Sequence, residues 1–251
     1  MPKRVLVIDA IATHRICFAA LLETARYQVE TVATLDDPFR QPSDYDFVLV
    51  GLPKEQAGSF VSEVKAALEG SYAPILCLDR YPSMHRRLLV LRAGARDILP
   101  VDSPDELILA IVRRLIRQSE ADHESQRRRI TAASFGFSEA IAKDAKPARI
   151  ACLGALGNVP SSLSTLLNHE FIQLHSLEDI QDAVGIQGVD GFLLDTGEER
   201  QALREILPEL RDQTHLSPTP VMAVYPTGIP ALATDALALG ATEIVADVAC
   251  I

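Results

Sequence analysis

The sequence predicts an α/β protein made of two three-layer α/β/α domains, each containing a five-stranded parallel sheet. The first observation is that short β-branched apolar runs alternate with segments whose apolar residues recur at helical spacing. The second is that four strand motifs recur 144 to 146 residues later: 4–9 at 149–154, 45–51 at 189–195, 73–79 at 219–225 and 94–99 at 240–245. The 251-residue chain is therefore an internal duplication, and each copy is long enough to bury a core.

In the first copy, apolar runs rich in Val and Ile predict strands at 4–8, 27–33, 45–50, 74–78 and 97–99. Apolar residues at helical spacing predict helices at 12–24, 60–68 and 84–93, with a poorer helix at 36–42. A fifth helix should begin at Ser103, an N-cap residue followed by Pro104 and an acidic first turn. Because each parallel crossover requires a helix, five strands and five helices predict a doubly covered sheet.

The apolar stripe of the fifth helix ends at Ile116, but the residues that follow lack Pro and Gly and are rich in helix formers. We expect this helix to continue as a solvated rod toward Ile130. The predicted domains are therefore residues 1–118 and 148–251, joined by a helical extension and linker at 119–147.

The second copy repeats the order, with strands predicted at 148–153, 171–174, 191–194, 221–225 and 243–246. Helices are predicted at 161–168, 177–184, 198–212 and 231–239. No counterpart of the helix that begins at Ser103 follows the last strand. We therefore expect one sheet face to be partly uncovered, with the cover supplied by chain beyond Ile251 or by another element.

Composition narrows the class of protein. Residues 1–145 carry 19 basic and 20 acidic side chains, whereas residues 146–251 carry 5 and 14, which argues against a nucleic-acid partner for the second half. We expect no membrane partner, because the sequence lacks both a signal-peptide pattern and an apolar run of about 20 residues. Because the N-terminus lacks a signal-peptide pattern, we expect a cytoplasmic protein. The four cysteines lie in apolar stretches without CxxC spacing, which predicts reduced core thiols: Cys17, Cys77, Cys152 and Cys250.

The strand motifs VLVID, YDFVLV and APILCLD, followed by AGARDIL, resemble the receiver domains of bacterial two-component response regulators. The resemblance covers nearly the whole chain as two tandem copies, and it implies a flavodoxin-like, CheY-like fold and a role in phosphorelay signal transduction. In an active receiver, two acids after strand one hold Mg²⁺ and an aspartate ending strand three accepts phosphate. A Thr or Ser ends strand four, and a Lys ends strand five.

Most of these functional residues are missing. In the first copy only Asp9 matches, because the other positions hold Ala10, Gly51, Asp79 and Val101. In the second copy only the acceptor position matches, with Asp195, because the others hold Gly154, Ala155, Tyr225 and Asp247. The resemblance therefore implies two pseudo-receivers with a lost Mg²⁺ site, no cofactor and no catalytic residue.

Two residues keep a candidate role. Asp195 is the candidate phosphoacceptor, against the alternative of a solvated acid at a strand end. Asp9 is the candidate metal ligand, against the alternative of a residue that caps a helix or stabilises a loop.

The tandem arrangement and the long charged helix resemble the PleD type of response regulator, in which two receivers precede a GGDEF diguanylate cyclase domain. This implies a regulatory module that is not itself an enzyme, that controls an output domain and that takes part in cyclic-di-GMP signalling. It also implies a homodimer through the face of helix four, strand five and helix five, with predicted interface residues Met84, Leu88, Leu91, Arg92, Arg96 and Asp97. The alternative is a nucleotide-binding α/β domain that uses the Gly154–Gly157 loop.

Overall fold

The computed structural model describes residues 2–37, 40–135, 147–154, 169–175, 179, 188–195, 200–212, 219–225 and 230–246. The chain divides into two compact units, Met1–Glu139 and Ala140–Ile251. No helix among the residues described here is both long and apolar enough to cross a membrane.

The first unit contains a five-stranded parallel sheet with the strand order β2-β1-β3-β4-β5. Its elements are β1 (Arg4–Ile8), α1 (Ala12–Thr24), β2 (Gln28–Val32), a 3-10 turn (Pro42–Asp44), β3 (Phe47–Gly51), α2 (Ala57–Ala67), β4 (Ile75–Asp79), α3 (Met84–Arg92), β5 (Asp97–Pro100) and α4 (Asp105–Ser134). This strand order is that of the flavodoxin-like fold, which confirms the predicted fold class.

The second unit has the same strand order, β10-β9-β8-β6-β7. Its described elements are β6 (Arg149–Leu153), β7 (Glu170–Leu174), β8 (Gly191–Asp195), α5 (Arg200–Asp212), β9 (Val221–Tyr225), α6 (Pro230–Ala238) and β10 (Glu243–Ala246). The helices predicted at 161–168 and 177–184 lie outside the described residues. The duplication read from the sequence is thus present in the two sheets.

Both faces of the first sheet are buried, as its continuous apolar strands require. Alternate residues of β1, β3 and β4 pack with Val61 and Val64 of α2 and with Val90 of α3 in one core cluster. On the other face, α1 contributes Phe18 and Leu22 to the core, and α4 contributes a buried apolar stripe that begins at Leu107.

The two units also share hydrogen bonds at equivalent positions. The Arg4 amide donates to a carboxylate oxygen of Asp46 over 2.8 Å, and the Arg149 amide donates to Asp190 over 2.9 Å. Each bond ties the start of the first strand of a unit to the residue before its third strand.

Two predictions for the first unit are wrong. The segment predicted as a helix at 36–42 contains no α-helix in its described part, because the Asp37 carboxylate instead accepts the amides of Ala33 and Thr34 in a local turn. Only four α-helices therefore accompany the five strands in the described part of this unit. The last helix begins at Asp105, with Pro104 rather than Ser103 as its N-cap, because Pro104 has an extended ψ of 142°.

Helix α4 spans 30 residues and passes beyond the sheet, as predicted, but its extension is not purely solvated. Lys3 pairs with both Asp46 and Glu120, and the His123 ring stacks on Tyr72 with 4.5 Å between ring centroids. The first part of the predicted linker at 119–147 is therefore a helix docked on the first unit.

Candidate functional site

The loops that follow β1, β3 and β4 meet at the carboxyl edge of the first sheet, where parallel α/β sheets bind ligands. Three positions of the receiver-like site were predicted to lie there: Asp9 after β1, Gly51 at the end of β3, and Asp79 at the end of β4. Each of them lies at this edge in the structure.

Asp9 is a loop-stabilising residue. The residue is 5% exposed, and its Oδ1 accepts the amide of Ile11 over 2.8 Å. With the ring proton on Nδ1, His14 donates to Oδ2 of Asp9 over 3.0 Å. The Asp9 carbonyl oxygen accepts from Arg15 over 2.6 Å. Both carboxylate oxygens are therefore engaged in holding the β1–α1 turn.

Gly51 lies directly against this carboxylate. A Cβ built at Gly51 would overlap Oδ2 and Cγ of Asp9. The volume that a phosphoacceptor side chain would need at the end of β3 is thus occupied by Asp9.

Asp79 is fully buried and forms a two-point ion pair with Arg86. The Nε and Nη2 atoms of Arg86 donate to Oδ2 and Oδ1 of Asp79, each over 2.9 Å. Burial alone would raise the pKa of Asp79, but the hydrogen bond from Arg86, the amide of Tyr81 and the Arg86 charge hold the pKa below its ordinary value.

The same guanidinium connects two loops. Arg86 also donates to the carbonyl oxygens of Lys54 and Pro53 over 2.7 Å and 2.9 Å. Because Ser83 caps α3 by accepting the Arg86 amide, the start of α3 is fixed relative to the loop after β3. A serine or threonine at position 79 could not form the two-point ion pair with Arg86.

A third polar group covers the edge. Arg80 donates to Nε2 of His14 over 2.7 Å, so His14 lies between the Asp9 carboxylate and a guanidinium. Val101 follows β5, where the resemblance expects a lysine, and its side chain carries no charge. Its amide donates to the Asp79 carbonyl over 2.9 Å.

In the second unit, the acid and the glycine exchange strands. Asp195 ends β8 and is half-buried, and Gly154 follows β6 with φ +95°, a conformation that favours glycine. A Cβ at Gly154 would lie 2.8 Å from Cβ of Asp195. Position 247 of the predicted site lies outside the described residues.

The residues of the first edge, and those of the second edge that the structure describes, do not fit a Mg²⁺ ion. Besides Asp79, which is paired with Arg86, the first edge offers only the carboxylate of Asp9 among its described residues. Both oxygens of the Asp9 carboxylate already accept hydrogen bonds. The described part of the second edge offers Asp195 beside a glycine. Among the described residues, no three His, Cys, Asp or Glu side chains are grouped as metal ligands would be.

The alternative nucleotide loop can be examined only at its first residue. The Gly154 carbonyl accepts from the Gln173 side chain over 3.0 Å, and the Asp195 side chain lies against this glycine. An acidic side chain next to the loop opposes phosphate binding. Residues 155–157 lie outside the described part of the chain.

The predicted interface residues have different surroundings. Leu88 is 45% exposed, Arg92 is exposed, and Leu91 is half-buried, while Arg96 pairs with Asp122 of the same chain over 2.6 Å. The side chain of Met84 lies outside the described set.

Asp97 does not belong to an interaction surface. It is 5% exposed, and its Oδ2 accepts from the buried Arg114 of α4 over 2.6 Å, while Arg87 of α3 donates to Oδ1. The carboxylate is therefore enclosed between two helices of its own unit, and we remove it from the predicted interface.

Sequence reasoning missed Arg86 and His14. The signal for Arg86 was an unexplained acid, Asp79, at the position where the resemblance expects a hydroxyl residue, with an arginine in the first turn of the next helix. His14 had a weaker signal, five residues after Asp9.

No protein-family model matches the sequence, and no curated protein matches it. Similar solved structures include a CheY-like response regulator receiver domain from Methanospirillum hungatei, with 17% identity, 49% of this chain and 99% of that chain covered, and a TM-score of 0.43. A chemotaxis protein of the CheY type from Vibrio cholerae has 22% identity over 46% of this chain and 99% of its own, with a TM-score of 0.40.

The receiver domain of a sensor histidine kinase from Pseudomonas aeruginosa, solved with magnesium in its active-site cleft, has 22% identity. That match covers 46% of this chain and 98% of the other, with a TM-score of 0.40. The fold assigned above rests on the strand order of the two sheets.

Proposed function

We propose that this chain is a regulatory module of a two-component response regulator, composed of two pseudo-receivers that act through protein contacts instead of phosphorylation. The observation that carries the proposal is the Asp9 carboxylate in the volume next to Gly51, because it removes both the acceptor and the space for one. The contacts of Arg86 add support, since its guanidinium ties the end of β4 to the loop after β3 through groups of the chain itself.

The proposal is tested by intact-mass measurement after incubation with Mg²⁺ and acetyl phosphate. We expect no added phosphoryl group on the wild-type chain. Asp195→Ala serves as the diagnostic variant, and Glu209→Gln, an exposed acid on α5, serves as its control. A phosphoryl group that is lost in Asp195→Ala and kept in Glu209→Gln would contradict the proposal for the second unit.

The contact surface that we propose is a homodimer face on α3 around Leu88, next to β5 and the exposed side of α4. The neighbouring Leu89 is 41% exposed, so this helix presents two adjacent leucines to solvent. In sedimentation at micromolar concentrations we expect a dimer that Leu88→Asp dissociates, with Ile16→Asp on α1 as the control. A strict monomer would remove dimerisation from the proposed function.

We further propose a GGDEF diguanylate cyclase as the controlled output domain. The support is the tandem arrangement and the 30-residue helix α4, which extends beyond the first sheet. Reading the coding sequence that follows codon 251 tests this part alone. A different output domain there would replace the cyclase and leave the pseudo-receiver proposal in place.

A further inference from the structure

Helices α2 and α3 of the first unit lie side by side, and a groove of about 530 Å³ runs between them. The α2 side of this groove consists of small residues: Ala57, Gly58, Ser59 and Ser62. The Ser62 hydroxyl is directed at its own helix, since it donates to the Gly58 carbonyl over 3.1 Å. The α2 side is therefore built of small side chains that leave the groove open. We call this feature the α2–α3 groove.

The α3 side of the groove is a single helical stripe. It consists of His85, Leu89 and Arg92, at positions i, i+4 and i+7 of the helix. Leu89 is 41% exposed and lies between two exposed nitrogen-bearing side chains. Neither His85 nor Arg92 forms a side-chain hydrogen bond or an ion pair with a residue that the structure describes. The stripe thus presents an apolar centre with one unpaired arginine beside it.

The charge of the α2–α3 groove is positive. Helix α3 contains no acidic residue, and no acid lines the groove. Arg86 and Arg87 of the same helix are neutralised by Asp79 and Asp97. Among the described residues, Arg92 is therefore the arginine of α3 that lacks a carboxylate partner.

The second unit does not repeat this combination of residues. Helices α5 and α6 stand 146 residues after α2 and α3, and the positions that correspond to Gly58, Leu89 and Arg92 hold Arg204, Asp235 and Ala238. A glycine, an apolar residue and a cation are thus replaced by a cation, an acid and an alanine. The surface is a property of the first unit and not a requirement of the fold that the two units share.

We propose that the α2–α3 groove binds an acidic amphipathic helix of a partner protein. An apolar residue of that helix packs on Leu89, and its flanking carboxylates meet Arg92 at one end and the His85 ring at the other. An apolar anchor flanked by charges that set the register is the usual basis of helix-in-groove recognition. This inference is independent of the proposed function, since it needs neither the loss of phosphorylation nor the dimer face around Leu88.

Charge distinguishes this occupant from the alternatives. Two copies that met through the groove would place Arg92 of one against Arg92 of the other, which is unfavourable. A nucleic-acid backbone requires several cations along its path, whereas the groove offers one arginine that is free of a described carboxylate. An acidic helix satisfies both the apolar centre and the single cation.

The probe is a fluorescent synthetic peptide of sequence LEELLEELLEEL, in which the leucines form one helical stripe and the glutamates flank it. It is titrated with the full chain, and anisotropy is recorded. We expect saturable binding that Leu89→Asp and Arg92→Glu each weaken about tenfold. The matched basic peptide LKKLLKKLLKKL should bind about tenfold more weakly than the acidic one. Added salt should weaken binding of the acidic peptide.

The control variant is Ile16→Asp on α1, which also replaces an exposed apolar residue and should leave the affinity unchanged. Because Leu89 is exposed, Leu89→Asp should fold, and circular dichroism verifies this. If it does not fold, Leu89→Ser replaces it, with the same direction of effect. Absence of saturable binding overturns the proposal, as does equal affinity of the folded Leu89 variant or of the basic peptide.

Sedimentation of the chain without peptide provides the remaining outcome. A dimer that Leu89→Asp dissociates and that Leu88→Asp leaves intact would assign the α2–α3 groove to a second copy, and it would also overturn the proposal.

Discussion

The Asp9 carboxylate lies in the volume into which a side chain at Gly51 would project. In the second unit the arrangement is reversed, because Asp195 lies on the third strand of the unit and Gly154 follows the first. Each edge thus holds one acid opposite one glycine. In both pairs, therefore, a Cβ added at the glycine would meet the aspartate of the neighbouring strand.

The first prediction concerns the steric coupling of this pair. Gly51→Ala should lower the free energy of unfolding by about 1–3 kcal/mol, because its Cβ overlaps the Asp9 carboxylate. The Asp9→Ala/Gly51→Ala double variant should be more stable than the sum of the single changes by about 0.5–3 kcal/mol, since the overlap is gone. Urea titration of the four proteins measures this coupling.

The matched control is Gly58→Ala in α2, where a Cβ meets only ordinary contacts with Leu89. This change should be neutral or stabilising by up to about 1 kcal/mol, because alanine favours the helix. Strict additivity at Asp9 and Gly51 would contradict the steric relationship.

The second prediction concerns Arg86. Arg86→Met should destabilise the first unit by about 3–5 kcal/mol, because it leaves the buried Asp79 carboxylate without its guanidinium. Arg92→Met, on the exposed side of the same helix, should change stability by no more than about 0.5 kcal/mol. Thermal or urea unfolding compares the two, and equal effects would show that the Arg86 bridge is not a stabilising element.

The sequence predicts the fold well and the site only in part. The succession of strands and helices along the chain follows from apolar runs that alternate with helical spacing, and the absence of a carboxylate at the end of β3 is visible in the identity of Gly51. The Arg86 bridge was not predictable, because its acceptors at Pro53 and Lys54 lie more than 30 residues away and meet it only in the folded unit. Asp97 was misplaced on a surface because its burial depends on Arg114, which lies in another element.

The third prediction is a pH dependence. The folded pKa of Asp79 is below its value in the unfolded chain, which is about 3.9. The stabilisation that the ionised Asp79 gains from Arg86 is therefore fully present above about pH 4. It is lost as the pH falls through the pKa of Asp79 in the folded chain. Asp79→Asn removes this component, so the difference in unfolding free energy between wild type and variant should shrink below about pH 4. Urea titrations at several pH values measure it, and parallel profiles would count against the assignment.

The fourth prediction compares two aspartate–arginine pairs that differ in burial. Asp97 and Arg114 are both nearly buried and lie 2.6 Å apart, whereas Arg96 and Asp122 lie at the same distance but are mostly exposed. Burial lowers the pKa of Arg114, while the charge and hydrogen bond of Asp97 raise it. The buried guanidinium therefore depends on Asp97 to offset the cost of its charge. Asp97→Ala should therefore cost about 3–5 kcal/mol, because Arg114 would remain buried beside Arg87 without a carboxylate.

Asp122→Ala is the matched control and should cost no more than about 1 kcal/mol, since solvent screens the exposed pair. Adding salt should reduce the contribution of Arg96–Asp122 and leave that of Asp97–Arg114 nearly unchanged. Urea unfolding at low and high ionic strength separates the two cases. If Asp97→Ala were as mild as Asp122→Ala, Asp97 would have to be accessible to water, and its place in the predicted dimer interface would be restored.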